Sequence, residues 1–384
     1  MHRDTELVHF GASPDDPHSP VATPIYQTAT CHQHSALESG EYDYSRSGNP
    51  TRRVLEDQLA RLERAERAFA FSSGMAALTA VVQLVSAGEE IVVGDDIYGG
   101  TYRLLTRILG RYQIGIVAVD TTDLDAVARA ITHKTKLVLV ETPTNPLQRI
   151  TDLRRVAELA HAAGAWLAVD NSLLSPLLQR PLELGADLVI HSCTKFICGH
   201  SDVTAGCVAV NAPELIEEIY LLQNGEGTAL APFDCFLVLR GSKTLGLRIE
   251  RQQNNAQILA EALLNHPAVT QVHYPGLADH PGHDLHFSQA SGAGAVISFE
   301  TGNLALSAKI VDAARLYVTA VSFGGVGSAI SLPCRMSHAS IPAEIRAKRA
   351  LPEDLIRIAV GIEDPRDLVE DLLQAIDRAT RKIA

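Results

Sequence analysis

Apolar positions change their spacing along this 384-residue chain, and the changes divide it into three stretches. Residues 1–45 show little periodicity and many turn-forming residues, which is typical of an extended arm. From about Arg52, short apolar runs alternate with segments of helical spacing. A long polar helix then leads into a mixture of strands and helices. We therefore predict an N-terminal arm over 1–45 that docks on a neighbouring subunit, a first domain over 46–240 and a second domain over 241–384.

The first domain is predicted to alternate between helices and strands. Helical spacing covers segments such as Arg53–Arg64, Met75–Val85 and Asp152–Ala163. Strands are predicted at Glu90–Gly94, Ile114–Asp120, Leu137–Glu141, Trp166–Asp170, Leu188–His191 and Gly206–Val210. This alternation implies an α/β domain with a mostly parallel sheet covered on both faces. Because ligands of such sheets bind beyond the carboxyl ends of the strands, residues that follow strands are the candidates for chemistry.

The second domain is predicted to be smaller and of the α+β class. A helix at about Ser242–Leu264 precedes it, and a strand is expected at Ala295–Glu300. Further helices are expected at Leu304–Ala314 and Asp367–Lys382.

Composition limits the classes of binding partner that the chain is expected to have. The 33 basic and 45 acidic residues give a net charge of −12, which argues against nucleic acid or an anionic membrane as the principal partner. No apolar run approaches the length that spans a membrane, and the polar N-terminal segment resembles neither a signal peptide nor a transit peptide. We predict a cytoplasmic protein with reduced thiols and no zinc site, because no close CxxC pair occurs among Cys31, Cys193, Cys198, Cys207, Cys235 and Cys334.

Lys195 has an unusual position, because it follows the predicted buried strand Leu188–His191. Burial of an ammonium group costs several kcal/mol, roughly, unless the group is neutralised or paired. A Schiff base with the aldehyde of pyridoxal 5′-phosphate (PLP) would remove that cost, and the hydroxyls of Ser192 and Thr194 could donate to the phosphate. The alternative is a surface lysine at a strand–loop junction.

Two further segments suit the same cofactor. Asp170 ends a predicted strand, where it either caps a turn or keeps a pyridine nitrogen protonated. Ser73, Gly74 and Met75 stand at the start of a predicted helix, and exposed amides together with the helix dipole favour a phosphate there. The alternative is a plain serine N-cap.

Several polar residues in loops and strands have both a structural and a binding interpretation. Tyr44 and Arg46 lie in an irregular segment, where Arg46 is either solvated or in contact with a phosphate. Tyr98 follows a strand and could stack on a flat ring, and Asn145 could bond a ring hydroxyl. Arg357 lies in an apolar strand, where it needs either an internal ion pair or a substrate carboxylate.

Three histidines, His280, His283 and His286, are spaced in a way that suggests a metal site. No helix is indicated across the intervening proline and glycine, and no acidic or cysteine set completes a site. We therefore expect no metal.

The chain resembles the Cys/Met-metabolism family of PLP-dependent enzymes over nearly its whole length, in the ordered segments TPIYQTAT, YDYSRSGNPTR, SSGMAA, GDDIYGGTYR, ETPTNP, VDNS, HSCTKFICGHSD and RIAVGIED. The resemblance implies the aspartate-aminotransferase-like fold (fold type I), with a large domain and a smaller C-terminal α+β domain. It also implies a homotetramer, built as a dimer of dimers, with active sites shared between subunits.

The resemblance assigns roles to three groups of residues. Lys195 holds PLP covalently and removes the Cα proton, aided by Tyr98, while Asp170 pairs with the pyridine nitrogen. The remaining contacts to PLP are expected from Tyr98 and Asn145 at the ring, from Ser73, Gly74, Met75, Ser192 and Thr194 at the phosphate, and from Tyr44 and Arg46 of a neighbouring subunit. The substrate carboxylate is expected to bind Arg357 and Ser322, and Tyr98 is also expected to contact the substrate.

Within the family, the segments LAPFDCFLVLRG, LADHPGHDLHFSQA and VSFGGVGSAISLPCRMSHASIPAEIRA are most similar to plant-type cystathionine β-lyases. This implies a carbon–sulfur lyase of transsulfuration and methionine biosynthesis that converts the thioether L-cystathionine to homocysteine, pyruvate and ammonia. Val321 stands where cystathionine γ-lyases often carry an acid, and Gly327 stands where many members carry glutamate. The alternatives are a cystathionine γ-lyase, a γ-synthase, a methionine γ-lyase, a lyase for another cysteine conjugate, and a non-catalytic PLP-binding regulatory protein.

Overall fold

A computed structural model describes residues 2–11, 18–339, 341–349 and 351–381 of the chain. The chain forms two compact units, each built from two separate stretches. The first unit contains Met1–Leu84 and Ala168–Gly246, and the second contains Val85–Leu167 and Leu247–Ala384. The predicted domain boundaries after residues 45 and 240 stay a prediction.

The first unit contains a sheet whose strands lie in the order β1, β7, β6, β5. Strand β7 is antiparallel to both of its neighbours, and β6 is parallel to β5. The strands are β1 (Arg67–Phe71), β5 (Trp166–Asp170), β6 (Leu188–His191) and β7 (Gly206–Val210). The helices are α1 (Arg3–His9), α2 (Pro50–Glu63), α3 (Gly74–Val82), α7 (Ser175–Leu178), α8 (Pro213–Glu226) and α9 (Pro232–Ser242).

Helix α2 shows how local sequence sets the boundaries of an element. Asn49 caps its start, because the side chain accepts hydrogen bonds from the backbone N–H groups of Thr51 and Arg52. Pro50 occupies the first turn, where its missing N–H costs nothing. Arg64 ends the helix in a left-handed conformation. The face that carries Leu55, Leu59 and Leu62 is fully buried.

The second unit contains three parallel strands and a separate five-stranded sheet. The parallel strands lie in the order β4, β2, β3, and the separate sheet has the order β10, β11, β12, β9, β8. The strands are β2 (Glu90–Gly94), β3 (Gly115–Val119), β4 (Thr135–Glu141), β8 (Gln271–His273), β9 (Val296–Glu300), β10 (Val318–Thr319), β11 (Ala329–Ser331) and β12 (Ile356–Ala359). Strand β12 is antiparallel to both of its neighbours, β11 and β9.

The helices of the second unit cover these strands and build its core. They are α4 (Gly99–Arg103), α5 (Leu124–Ala130), α6 (Leu153–Ala162), α10 (Leu245–Leu264), α11 (His283–Gln289), α12 (Leu304–Ala313), α13 (Ala343–Lys348) and α14 (Pro365–Arg381). A buried cluster joins α10, α12 and α14 to β9 and β12. The buried hydroxyls of Tyr274 and Tyr317 each donate to a backbone carbonyl, so the core carries no cost for these polar atoms.

Four of the six strands predicted for the first domain are confirmed with their boundaries unchanged, and the other two differ by one or two residues. Two of the elements that the prediction missed show why. The first is β1, whose run RAFAF lacks β-branched residues and contains two alanines, which favour helix over strand. The second is α1, which lies in the segment predicted to be an extended arm. This helix docks on its own unit, because Leu7 is fully buried and Lys243 Nζ donates to the carbonyl of Val8 over 2.8 Å.

The structure also describes the cysteines and the lengths of the apolar helices, which composition addressed above. None of the six cysteines forms a disulfide, and five of them are buried. In the part of the chain that the structure describes, no helix is long and apolar enough to cross a membrane.

Replacing Gly206 with alanine is expected to lower the free energy of unfolding by about 1–3 kcal/mol. A Cβ on Gly206 would lie 2.2 Å from the carbonyl oxygen of Ser73 and 2.8 Å from the nitrogen of Gly74, so the start of α3 would have to move. Chemical denaturation measures the change. The matched control is Gly225→Ala in α8, where a Cβ meets no described atom within 4 Å. Equal unfolding midpoints for the two variants would contradict this account.

Candidate active site

Lys195 and Asp170 both follow strand ends in the first unit. Asp170 is the last residue of β5, and Lys195 comes four residues after the end of β6. The two strands are parallel neighbours, with Asp170 paired to Ile190, so both side chains leave the same edge of the sheet. A turn holds Lys195, whose N–H donates to the carbonyl of Ser192 over 3.0 Å and whose carbonyl accepts from Gly199 over 2.8 Å.

The carboxyl group of Asp170 is held by Ser172 and by nearby positive charge. Ser172 donates its backbone N–H to Asp170 Oδ1 over 3.0 Å and also hydrogen-bonds the carboxyl group through its hydroxyl. Burial raises the pKa of Asp170, while the bonds from Ser172 and the positive charges of His191 and Lys195 act to lower it. A cation against this carboxyl group would therefore favour its ionised form, which is the form that pairs with a protonated pyridine nitrogen.

The start of α3 presents hydrogen-bond donors. Ser73 Oγ accepts the N–H of Ala76 over 3.1 Å and thereby caps the helix. Across the described residues, the N–H groups of Gly74 and Met75 form no hydrogen bond, as expected for the first turn of a helix. Gly74 packs so closely on Ser192 that an added Cβ would lie 2.8 Å from the Cβ of Ser192. Amide donors and the hydroxyl of Ser192 therefore lie side by side.

Thr194 is engaged with the backbone. Its hydroxyl donates to the carbonyl of Ala205 over 3.2 Å and accepts the N–H of Ala205 over 2.9 Å. A hydroxyl has a single proton, so Thr194 donates to a phosphate only when its bond to the Ala205 carbonyl is exchanged. In this structure, Thr194 instead ties the lysine turn to the residue before β7.

Tyr44 and Arg46 lie on the surface of the first unit. Both are exposed, and the guanidinium carbon of Arg46 lies 5.3 Å from the centre of the Tyr44 ring. The segment that carries Tyr44 is ordered by pairing, because Thr30 and Tyr44 form an antiparallel bridge. Arg52, which is buried, donates to the carbonyl of Arg46 over 3.0 Å. The two side chains are thus presented outward from a fixed backbone.

Arg357 is the most buried cation of the predicted site residues, with 2% of its surface exposed. Its Nη1 donates to Asn145 Oδ1 over 3.1 Å, and its Nη2 donates to the carbonyl of Ser322 over 2.8 Å. It forms no ion pair with a described residue, and its buried Nε has no hydrogen-bond partner among them. Burial lowers the pKa of Arg357 to about 10. A carboxylate is the group that this arginine lacks.

The second unit brings Asn145 and Ser322 to Arg357. Asn145 is buried, and its carbonyl bonds the Nε2 of buried His338 over 3.1 Å. Ser322 has a φ of 86°, which is strained for a residue with a side chain and is typical of functional sites. Tyr98 precedes α4 and keeps 38% of its surface exposed. The nearby Glu141 and, to a smaller extent, Tyr98 act to raise the pKa of Arg357 against the effect of burial.

The residues of the first unit fit PLP. The amides of Gly74 and Met75 together with the Ser192 hydroxyl match a phosphate, Asp170 matches the pyridine nitrogen, and Lys195 matches the aldehyde. When bound, PLP would supply an electron-withdrawing ring for the amino acid attached to it.

Sequence reasoning missed three residues close to Asp170, which are Ser172, Glu63 and His191. The signal for His191 was a polar residue at the end of an apolar strand, and the signal for Glu63 was an acid near the buried face of α2. Ser172 offered only the polar end of the run VDNS. Each depends on a tertiary partner that the sequence does not show.

The cysteines and histidines that the sequence singled out lie in packed surroundings. Burial and a hydrogen bond between the Cys207 thiol and Cys193 raise the pKa of Cys207, which disfavours a reactive thiolate. His283 Nδ1 and His286 Nε2 bond the carbonyls of Pro275 and Gly292, and His280 Nδ1 accepts the N–H of Gly282. Backbone groups thus occupy one nitrogen of each ring.

Comparison with known proteins identifies the family to which the chain belongs. A sequence model of the family described as Cys/Met metabolism PLP-dependent enzyme matches residues 4–377. A chloroplastic cystathionine beta-lyase of Arabidopsis thaliana is 60% identical over 357 residues, which cover 93% of this chain and 77% of the relative. A cystathionine gamma-lyase of Bacillus subtilis (strain 168) is 47% identical over 377 residues, which cover 98% of this chain and 100% of the relative.

The fold agrees with solved structures at the level of the whole chain. The crystal structure of cystathionine gamma synthase from Xanthomonas oryzae pv. oryzae in complex with cystathionine matches with a TM-score of 0.97 at 42% identity. The match covers 99% of both chains and confirms the aspartate-aminotransferase-like fold type I. The chain therefore belongs to the Cys/Met metabolism PLP-dependent enzyme family, and its cofactor is pyridoxal 5′-phosphate.

Proposed function

We propose that this enzyme is a carbon–sulfur lyase that cleaves L-cystathionine by β-elimination. The products are homocysteine, pyruvate and ammonia, with water consumed in the release of ammonia. The observation that carries the proposal is Arg357, a buried arginine whose hydrogen-bond partners are neutral oxygens. Together with the 60% identity to a relative named cystathionine beta-lyase, it supports an amino-acid substrate held by its carboxylate.

The side chains divide the work of the reaction. Arg357 fixes the substrate carboxylate, and Asn145 and the Ser322 carbonyl orient the guanidinium. The Lys195 amine takes the proton from Cα, with Tyr98 assisting, and the thiolate of homocysteine then leaves from Cβ. Asp170 keeps the pyridine nitrogen protonated, which lets the ring withdraw electrons from Cα.

Val321 favours β-elimination over γ-elimination. Its apolar side chain keeps 56% of its surface exposed, and it stands next to Ser322, whose carbonyl holds Arg357. γ-Elimination requires a further deprotonation at Cβ, and Val321 offers no acid or base for it.

The competing activities are those of a cystathionine γ-lyase, a γ-synthase, a methionine γ-lyase and a lyase for another cysteine conjugate. All use the same cofactor residues, so the identity of the product separates them. A non-catalytic regulatory protein is disfavoured, because Lys195, Asp170, Tyr98 and Arg357 are all present.

Purified enzyme supplied with PLP and L-cystathionine is expected to release pyruvate and homocysteine in equal amounts. Chromatography of the derivatised keto acids measures the ratio of pyruvate to 2-oxobutyrate. The control is Lys195→Ala, which should release neither keto acid, because it lacks the amine that holds PLP and moves the proton. Mainly 2-oxobutyrate would contradict β-elimination, and turnover of another thioether alone would contradict cystathionine as the substrate.

We also propose a cytoplasmic homotetramer, a dimer of dimers, in which Tyr44 and Arg46 reach the PLP phosphate of a neighbouring subunit. Both side chains point outward from an ordered segment of the first unit, which supports presentation to a second copy of the chain. The six cysteines without disulfides support a reducing compartment.

Mixing two inactive variants tests the shared site. Arg46→Ala and Lys195→Ala oligomers, dissociated together and reassembled, are expected to recover about a quarter of wild-type activity, because half of the dimers are hybrids with one intact site each. Product release from cystathionine measures the recovery. Each variant reassembled alone is the control, and recovery no greater than that control would contradict sharing of Arg46 between subunits.

A further inference from the structure

Glu63 and His191 are two buried titratable residues that the reaction above does not use. Glu63 ends α2 and His191 ends β6, and each side chain has 1% of its surface exposed. Glu63 Oε1 lies 2.5 Å from His191 Nε2. Burial of such a pair has a large desolvation cost, which makes it weak evidence for stability and suggests another role.

The pair is tied to the segment that carries Asp170. Asn171 follows Asp170 directly, and its Nδ2 donates to Glu63 Oε1 over 3.2 Å and to the carbonyl of Gln179 over 2.8 Å. The N–H of Asn171 donates to the carbonyl of Ile190, the residue before His191, over 2.9 Å. One carboxylate oxygen thus holds both the end of β6 and the residue that continues β5.

The pair acts on Asp170 through its position and its charge. An amide nitrogen can only donate, so Glu63 Oε1 accepts the hydrogen bond from Asn171 Nδ2. The positive charge of His191 stabilises ionised Asp170 and opposes the effect of burial on the pKa of that carboxyl group.

We propose that Glu63 and His191 form a positioning pair, which orders the Asp170 carboxyl group at the end of β5 through Asn171 and the end of β6. The inference rests on the proposed role of Asp170 toward the pyridine nitrogen. Neither residue of the pair touches substrate or PLP, and both act through Asp170.

A purely structural pair gives a different result from a pair that acts through Asp170. A structural pair stabilises the unit whatever residue stands at position 170. A pair that acts through the carboxylate loses its effect when that carboxylate is replaced by an amide, so the two substitutions are not additive.

The experiment is a double-mutant cycle read out as the affinity of the apo-protein for PLP, measured by absorbance titration. Glu63→Gln keeps the shape of the side chain and removes its charge. It is expected to weaken PLP binding about tenfold when Asp170 is present, which corresponds to one pKa unit of interaction. In the Asp170→Asn background the same substitution is expected to change the affinity less than about twofold.

Glu300→Gln is the matched control. Glu300 Oε1 pairs with His273 Nε2 over 2.7 Å in the second unit, and its substitution should leave the PLP affinity unchanged. If Glu63→Gln does not fold, His191→Gln takes its place in the same cycle.

The outcomes separate this inference from the proposed function. An equal loss of PLP affinity in both backgrounds, or no loss in either, overturns the positioning pair while the role of Asp170 stands. If Asp170→Asn alone leaves the PLP affinity of the protein unchanged, the role of Asp170 is overturned, and that of the pair with it.

Discussion

Backbone packing at the ends of β6 and β7 is the constraint on which the cofactor site depends. Gly206 lies so close to Ser73 that no side chain fits between them, and Gly74 packs in the same way on Ser192. These contacts bring the first turn of α3 beside the turn that carries Lys195. The helix N-terminus can then offer amide donors where the lysine turn offers a hydroxyl. Larger residues at either glycine would separate the two halves of this arrangement.

The second feature is a charged side chain in each unit, and the two side chains differ in their hydrogen-bond partners. In the first unit, burial raises the pKa of the Asp170 carboxyl group, while Ser172, His191 and Lys195 act to lower it. In the second unit Arg357 is bonded only to neutral oxygens, and its Nε lacks a partner among the described residues. Each unit therefore holds a charged group whose proposed partner is an opposite charge, a pyridinium for Asp170 and a substrate carboxylate for Arg357.

The sequence predicted the strands of the first domain well because valine and isoleucine are frequent in their apolar runs and turn residues flank them. It predicted Lys195 and Asp170 as candidates because ligands meet the carboxyl ends of parallel strands. It missed α1, since seven residues give too little periodicity and the burial of Leu7 depends on tertiary contact. It missed Glu63 for the same reason: a buried polar residue is explained by its partner, and the partner His191 is 128 residues away in sequence.

The covalent link between PLP and Lys195 is the central claim, and one measurement tests it directly. Reduction of the holoenzyme with borohydride, proteolysis and mass spectrometry should find the mass of reduced PLP on the peptide that contains Lys195. No other lysine peptide, including those that carry Lys136 and Lys243, should gain that mass. PLP on a different lysine, or on none, would contradict the account.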